Sequence, residues 1–190
     1  MYPTPEQMTM RTPRRPRVPS PASLEIRLAT PAEYAHVADV CAAAYAELLP
    51  PGSAYETVLR DVGRRAEHAQ VLVAAGERVL GTVTFVPAGG PMGEIAGHEE
   101  TEFRMLAVDP AAQGRGVAAS LVGEVIDRTR ALGRRAIVCS SLPEMRAAHR
   151  VYERAGFRRA PERDWSPTPG VALLAFTLAL VLGASERQPK

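Results

Sequence analysis

The run Gln113-Gly114-Arg115-Gly116-Val117-Ala118 carries the first chemical signal in this chain. It follows the apolar segment Leu106-Ala107-Val108 and the pair Asp109-Pro110, and it opens onto an apolar helical pattern. Glycine lets a backbone turn sharply and lets a ligand approach it closely. The first N–H groups of a helix have no internal partner, and the helix dipole adds positive potential there. Together they can seat a pyrophosphate, with Arg115 adding charge at the rim. Taken alone, the turn reads equally as a plain Gly-rich helix start. A P-loop would need Gly-Lys-Ser/Thr, which is absent. A dinucleotide turn belongs after an early strand with an acid about 20 residues on, and this turn follows the fourth strand.

The second signal lies about 35 residues downstream, at Ala148-His149-Arg150-Val151-Tyr152-Glu153-Arg154-Ala155-Gly156-Phe157. Tyr152 is a phenol of ordinary pKa ~10, protonated at neutral pH and able to donate. Its alternative is a packed helix tyrosine. Glu102 lies four residues before Leu106 on the same apolar run, with Glu100 and His98 just upstream of it. The local reading of Glu102 is a surface glutamate paired with Arg104. Simple strand alternation sets Glu102, Arg104, Leu106 and Val108 on one face.

The elements that must position these residues follow from periodicity and punctuation. Leu24 to Ala29 alternates as a first strand. Thr30, Pro31 and Glu33 form a capping-box start for a helix carrying Tyr34, Val37, Cys41, Ala44, Tyr45 and Leu48 at helical spacing. Pro50 to Gly52 stops it, and a second, more polar helix covers Tyr55 to Glu67. Two β-rich runs flank the Gly76-Glu77 turn as a hairpin. Ala88 to Glu100 is a flexible loop and Thr101 to Val108 a strand. A helix from Val117 to Leu132 ends at Gly133, a strand covers Arg135 to Ser141, and a helix closes on Gly156. Phe157 to Trp165 and Val171 to Leu180 are the last two strands. The fold class is therefore a mixed α/β sheet of six to seven strands with helices on both faces.

Composition narrows the rest. The chain has 190 residues, 46% of them hydrophobic, enough for a single domain over residues 24–183. Residues 1–23, rich in Pro and Arg, read as a disordered tail, and 184–190 as a C-terminal tail. The N-terminal arm is too short to carry much phosphate affinity, so nucleic acid is not an expected partner. The net charge of +2 says little, since the basic side is almost all arginine and Lys190 is the sole lysine. Cys41 and Cys139 fit no disulfide framework or metal spacing and read as small buried thiols in a cytoplasmic protein. No metal is expected. The apolar run Val171 to Gly183 is shorter than the ~20 residues a membrane helix needs, so no membrane partner is expected. A homodimer is compatible with all of this.

The two signals together resemble the GNAT N-acetyltransferase superfamily. Gln113-x-x-Gly116-x-Ala118 matches its R/Q-x-x-G-x-G/A signature, Ala148 to Phe157 matches its A-x-x-L-Y-E-K-x-G-F motif, and the element order agrees across Leu24 to Leu182. The resemblance implies acetyl-CoA as co-substrate and a primary amine as acceptor, with direct transfer in a ternary complex. A non-catalytic acetyl-CoA sensor is the alternative. It implies that the pyrophosphate lies on Gln113, Gly114, Arg115, Gly116, Val117 and Ala118. The pantetheine arm would bond to the backbone of Leu106, Ala107 and Val108, beside a bulge whose freed N–H, at about Leu106, faces the thioester carbonyl. It further implies that Tyr152 protonates the thiolate and that Glu102, where some members carry a base glutamate, takes the amine's proton, with Glu100 and His98 as alternatives. Ser140 stands where other members place a glutamate, and Met145 where many carry an asparagine. The first two helices, their connection, the 88–100 loop and the Trp165–Gly170 turn would form the acceptor side, with Trp165 and Tyr55 as candidate lining.

Overall fold

The structure is a computed structural model, and it describes residues 24–50 and 52–181; the tails read from the sequence lie outside the described residues. The chain runs β1 (Glu25–Leu28), α1 (Tyr34–Tyr45), α2 (Ala54–Arg60), α3 (Val62–His68), β2 (Gln70–Ala75), β3 (Val79–Val86), β4 (Glu100–Val108), α4 (Val117–Ala131), β5 (Ala136–Ser141), α5 (Arg146–Arg154), β6 (Arg158–Arg159) and β7 (Leu174–Ala179). The strands form one seven-stranded sheet in the order β1-β2-β3-β4-β5-β7-β6. Among the described residues only β4 and β5 pair in parallel, and the other strand pairs are antiparallel.

Alternation in the strands builds a core on each face. Val71, Val73 and Ala75 of β2 pack with Val37, Cys41, Leu59 and Val62 under α1, α2 and α3. Leu72 and Ala74 turn the other way and join Val117, Leu121, Val125, Tyr152 and Phe157 from α4, α5 and the turn after it. Helices therefore cover both faces, as the sequence pattern implies. Cys41 and Cys139 are buried free thiols, one in each core. At Gly81 a Cβ would fall 2.7 Å from Val117 Cγ1 and 3.0 Å from the Ala107 carbonyl oxygen. Its absence lets the first turn of α4 press against β3 and β4.

Three sequence expectations change. The single helix over Tyr55 to Glu67 is two helices. Asp61 has non-helical ψ and ends α2, and its Oδ1 accepts from the Arg64 N–H to start α3. The strand expected over Phe157 to Trp165 is reduced to Arg158–Arg159, because Pro161 opens a 3-10 turn; Trp165 rejoins the sheet by one bridge to Leu173. The loop before β4 is pinned by side chains from β4, as described below.

The start of α1 carries a pH-dependent lock. Glu33 accepts from the Thr30 N–H at 2.8 Å and from both terminal nitrogens of Arg27, at 2.8 and 2.7 Å. The Arg27 guanidinium holds the Glu33 carboxyl down at about 2, against an ordinary 4.5. A carboxyl depressed on folding contributes stability above its unfolded pKa and loses it as pH falls through the folded one. The contribution should therefore be full above about pH 4.5 and vanish towards pH 2. Acid titration of the melting temperature should show this loss, and Glu33→Gln should flatten that part of the curve.

Candidate functional site

The glycine turn meets the sheet where the sheet comes apart. β4 pairs with β5 through Glu100, Thr101 and Glu102, opposite Ala136, Ile137 and Val138. On its other edge β4 stays with β3 up to Val108, but the register shifts: Thr84 faces Arg104 and Thr82 faces Ala107, so Met105 and Leu106 together oppose Val83. This is a β-bulge. Met105 has φ +54°, a left-handed conformation unusual for a non-glycine residue. The extra residue bends β4 away from β5 beyond Glu102.

The bulge also corrects the expected facing of the strand. Phe103 and Leu106 both pack into the α4/α5 core, whereas Met105 and Ala107 pack under α1. Glu102 and Arg104 thus share the α1–α3 face with Met105, and Leu106 and Val108 turn to the opposite one. Alternation failed at the position where one residue is inserted.

Backbone direction follows. The Asp109 N–H donates to the Leu80 carbonyl on the β3 side. Alternation of an antiparallel ladder then points the N–H and C=O groups of Val108 and Leu106 the other way, into the gap left by β5. These are the atoms that a long ligand lying in the gap would pair with.

At the mouth of the gap, Gln113, Gly114, Arg115 and Gly116 are all exposed. Gly114 and Gly116 have φ +73° and +81°, so both use conformations that favour glycine. Gly116 is the N-cap of the 15-residue α4, and no side chain caps that helix. Its first N–H groups face outward. Val117 is buried and anchors the turn against Gly81.

Tyr152 approaches from α5. It is 3% exposed and packed edge-on to Phe103 (5.5 Å between centroids) and Phe176 (5.4 Å). Burial pushes its phenol well above the usual range, with Cys139 and Tyr45 adding to the effect. The phenol is therefore held in its protonated form at neutral pH. Its neighbour His149 holds the Leu142 carbonyl (3.1 Å) and Ser141 Oγ (3.2 Å), and burial lowers its pKa. Met145, at the N-terminus of α5, packs against the α1 core and brings no polar group.

The candidate bases separate. Glu102 is neither at the surface nor paired with Arg104. It is fully buried, and its Oε2 accepts from the N–H groups of Glu94 (2.8 Å), Ile95 (3.0 Å) and Ala96 (3.1 Å). Its Oε1 is buried and, among the described residues, has no partner. Glu100 is held by both terminal nitrogens of Arg163, at 2.9 and 2.7 Å, which lower its pKa. His98 is exposed on the loop, and Ser140 pairs with Ala175 across β5 and β7. Arg104 instead binds the Glu94 carboxylate and the Met92 carbonyl (3.0 Å). Tyr55 leans on Tyr45, 6.2 Å between centroids, and Trp165 is half-buried near β7. Sequence reasoning missed Glu94, Arg104 and Tyr45 as a group, since nothing in their spacing brings a loop, a strand and a helix together.

A split sheet beside an uncapped, glycine-entered helix can hold a long ligand with an anionic group at one end and amides along its length. The acetyltransferase (GNAT) family model matches residues 35–157, and the chain belongs to that family. Among curated relatives, an N-acetylaspartate synthetase of Danio rerio is 34% identical over 70 residues, covering 37% of this chain and 25% of that protein. An uncharacterized N-acetyltransferase of Schizosaccharomyces pombe is 29% identical over 114 residues, covering 59% and 66%. The matched region thus spans less than two thirds of either relative. Among solved structures, a GNAT acetyltransferase from Staphylococcus aureus Mu50 superposes with a TM-score of 0.66 at 13% identity, covering 83% of this chain and 99% of that one. A GCN5-related N-acetyltransferase from Kribbella flavida gives 0.60 at 25%, covering 85% and 100%. The yncA protein of Salmonella typhimurium, solved with its cofactor acetyl-CoA, gives 0.60 at 22%, covering 86% and 97%.

The residues present fit acetyl-CoA. The exposed αL glycines leave open backbone at an uncapped helix start, with nothing within 4 Å of a Cβ placed at Gly114. The Leu106 and Val108 backbone faces an unpaired slot.

Proposed function

We propose that this chain transfers the acetyl group of acetyl-CoA directly to a primary amine in a ternary complex. The observation that carries the reading is the bulge at Met105 opening the sheet beside the uncapped N-terminus of α4. When bound, acetyl-CoA supplies an acetyl group activated as a thioester. Gln113 to Ala118 offer backbone N–H groups to its pyrophosphate. Leu106, Ala107 and Val108 supply the strand edge, with the Leu106 N–H donating to the carbonyl oxygen where negative charge develops. Tyr152 donates its proton to the departing sulfur. The acceptor reaches the α1–α3 face near Tyr45, Tyr55 and the 88–100 loop, and both a small molecule and a peptide amine are within this reading. The two buried free thiols support a reducing, cytoplasmic setting.

Calorimetry with acetyl-CoA tests the donor site. A screen of polyamines, aminoglycosides, amino acids and N-terminal peptides, read by thiol release, tests the reaction. Saturable binding and amine-dependent thiol release are expected. Absence of binding overturns the reading, and binding with no turnover on any amine leaves the sensor alternative in its place.

A further inference from the structure

The base expected at Glu102 is closed off, and the structure offers another carboxylate on the same face. Glu102 has one oxygen saturated by three backbone N–H groups and the other sealed from solvent. Those three N–H groups belong to Glu94, Ile95 and Ala96, so Glu102 fixes the loop that carries Glu94. Gly93 lets the loop sit down: a Cβ there would lie 3.7 Å from Glu102 Oε2 and 3.3 Å from the Gly90 carbonyl. Two positions along β4, Arg104 grips the same loop through the Met92 carbonyl and the Glu94 carboxylate. Arg104 immediately precedes the bulge residue Met105, so the Glu94–Arg104 pair stands at the opening of the sheet. The Glu94 side chain keeps 25% of its surface exposed, against none for Glu102.

We propose that Glu94 is the carboxylate that meets the acceptor ammonium and takes its proton, and that Glu102 is a positioning residue that holds Glu94 in place. The inference rests on the acetyltransferase reading above. The ammonium gives one proton to a Glu94 oxygen, leaving a neutral amine with a free lone pair; Glu94 then releases that proton to water.

The surrounding charges suit this role. Arg104 and Glu102 face Glu94 from β4, Tyr55 faces it from α2, and Arg163 binds the Ile95 carbonyl on the far side of the loop. Arg65 of α3 lies deeper and spends its guanidinium on Thr84 Oγ1 (3.0 Å) and the Leu59 carbonyl (2.8 Å). Burial raises the Glu94 pKa above the ordinary carboxylate value and Glu102 adds to the rise, while Arg104 opposes it. A carboxylate raised in this way is a stronger base than an ordinary one.

The test compares Glu94→Gln, Glu102→Gln and Glu102→Ala, with the amine from the screen that gives the fastest thiol release. Glu94→Gln should lower kcat/KM roughly 100- to 1,000-fold and abolish its acid limb. Glu102→Gln keeps an oxygen for the three amides and should stay within about tenfold of wild type, with the limb intact. Glu102→Ala should raise the acceptor KM and keep the limb. All three should bind acetyl-CoA as wild type does by calorimetry. Independently of turnover, the Glu94 carboxyl signal in carbon-13-glutamate protein should titrate above the ordinary carboxylate range and shift on adding ethylammonium chloride. An acid limb that survives Glu94→Gln, a Glu102→Gln loss as large as that of Glu94→Gln, or a Glu94 signal unmoved by ethylammonium overturns the proposal. A wild-type protein that does not bind acetyl-CoA would instead remove the function on which it rests.

Discussion

Replacing Gly116 by glutamate is expected to raise the acetyl-CoA Kd by at least about 100-fold, close to 3 kcal/mol. Two effects contribute, and a second variant separates them. Gly116 has φ +81°, and any side chain there carries roughly 1–2 kcal/mol of left-handed strain. Gly116→Ala should show that strain alone, as a fall of about 2–8 °C in Tm. Its Kd should rise only about tenfold, because the helix N–H groups still face the turn. The glutamate adds a carboxylate where the helix start attracts anions, and it competes directly with the pyrophosphate. Calorimetry on both variants checks this. Equal affinities for Ala and Glu would mean that the turn does not bind an anion.

The second large effect concerns Tyr152. Tyr152→Phe is expected to reduce kcat roughly 100- to 10,000-fold with little change in the acetyl-CoA Kd. The same substitution should leave the melting temperature unchanged or slightly higher. The ring is packed among Phe103, Phe157 and Phe176, and among the described residues no partner accepts from or donates to its hydroxyl. Phenylalanine keeps that packing and, among the described residues, breaks no hydrogen bond. A stable, ligand-binding, inactive variant is thus the signature of a proton donor. A stable variant with full activity would assign Tyr152 to packing alone.

Much of this architecture is legible in the residues themselves. Alternating Val71, Leu72, Val73 and Ala74 declare a strand buried on both sides, and Thr30-Pro31-x-Glu33 declares a helix start. The glycines at 114 and 116 mark a turn that only unusual φ values satisfy. The bulge is not legible locally, because Met105 takes a positive φ that its type disfavours; the surrounding sheet imposes it. The burial of Glu102 is hidden for a related reason. A lone glutamate in a strand looks like a surface residue until three amides, six to eight positions earlier, come back to cover it. Asp61 is a different case: an aspartate before a new apolar position is a helix-start signal that competes with the periodicity running through it.

The three-residue contact between β4 and β5 has a consequence for the protein as a material. The sheet consists of two rafts, β1 to β4 and β5-β7-β6, joined over a short seam and then parted by the bulge. Each raft presents raw strand edge to the cleft, the kind of surface that elsewhere invites a stray chain to add itself. On the reading proposed above, a ligand threaded between them would act as an eighth strand of non-protein origin, closing the ladder and tying the rafts together. Its grip should register in amide hydrogen exchange, with Leu106 and Val108 slowed most on adding acetyl-CoA.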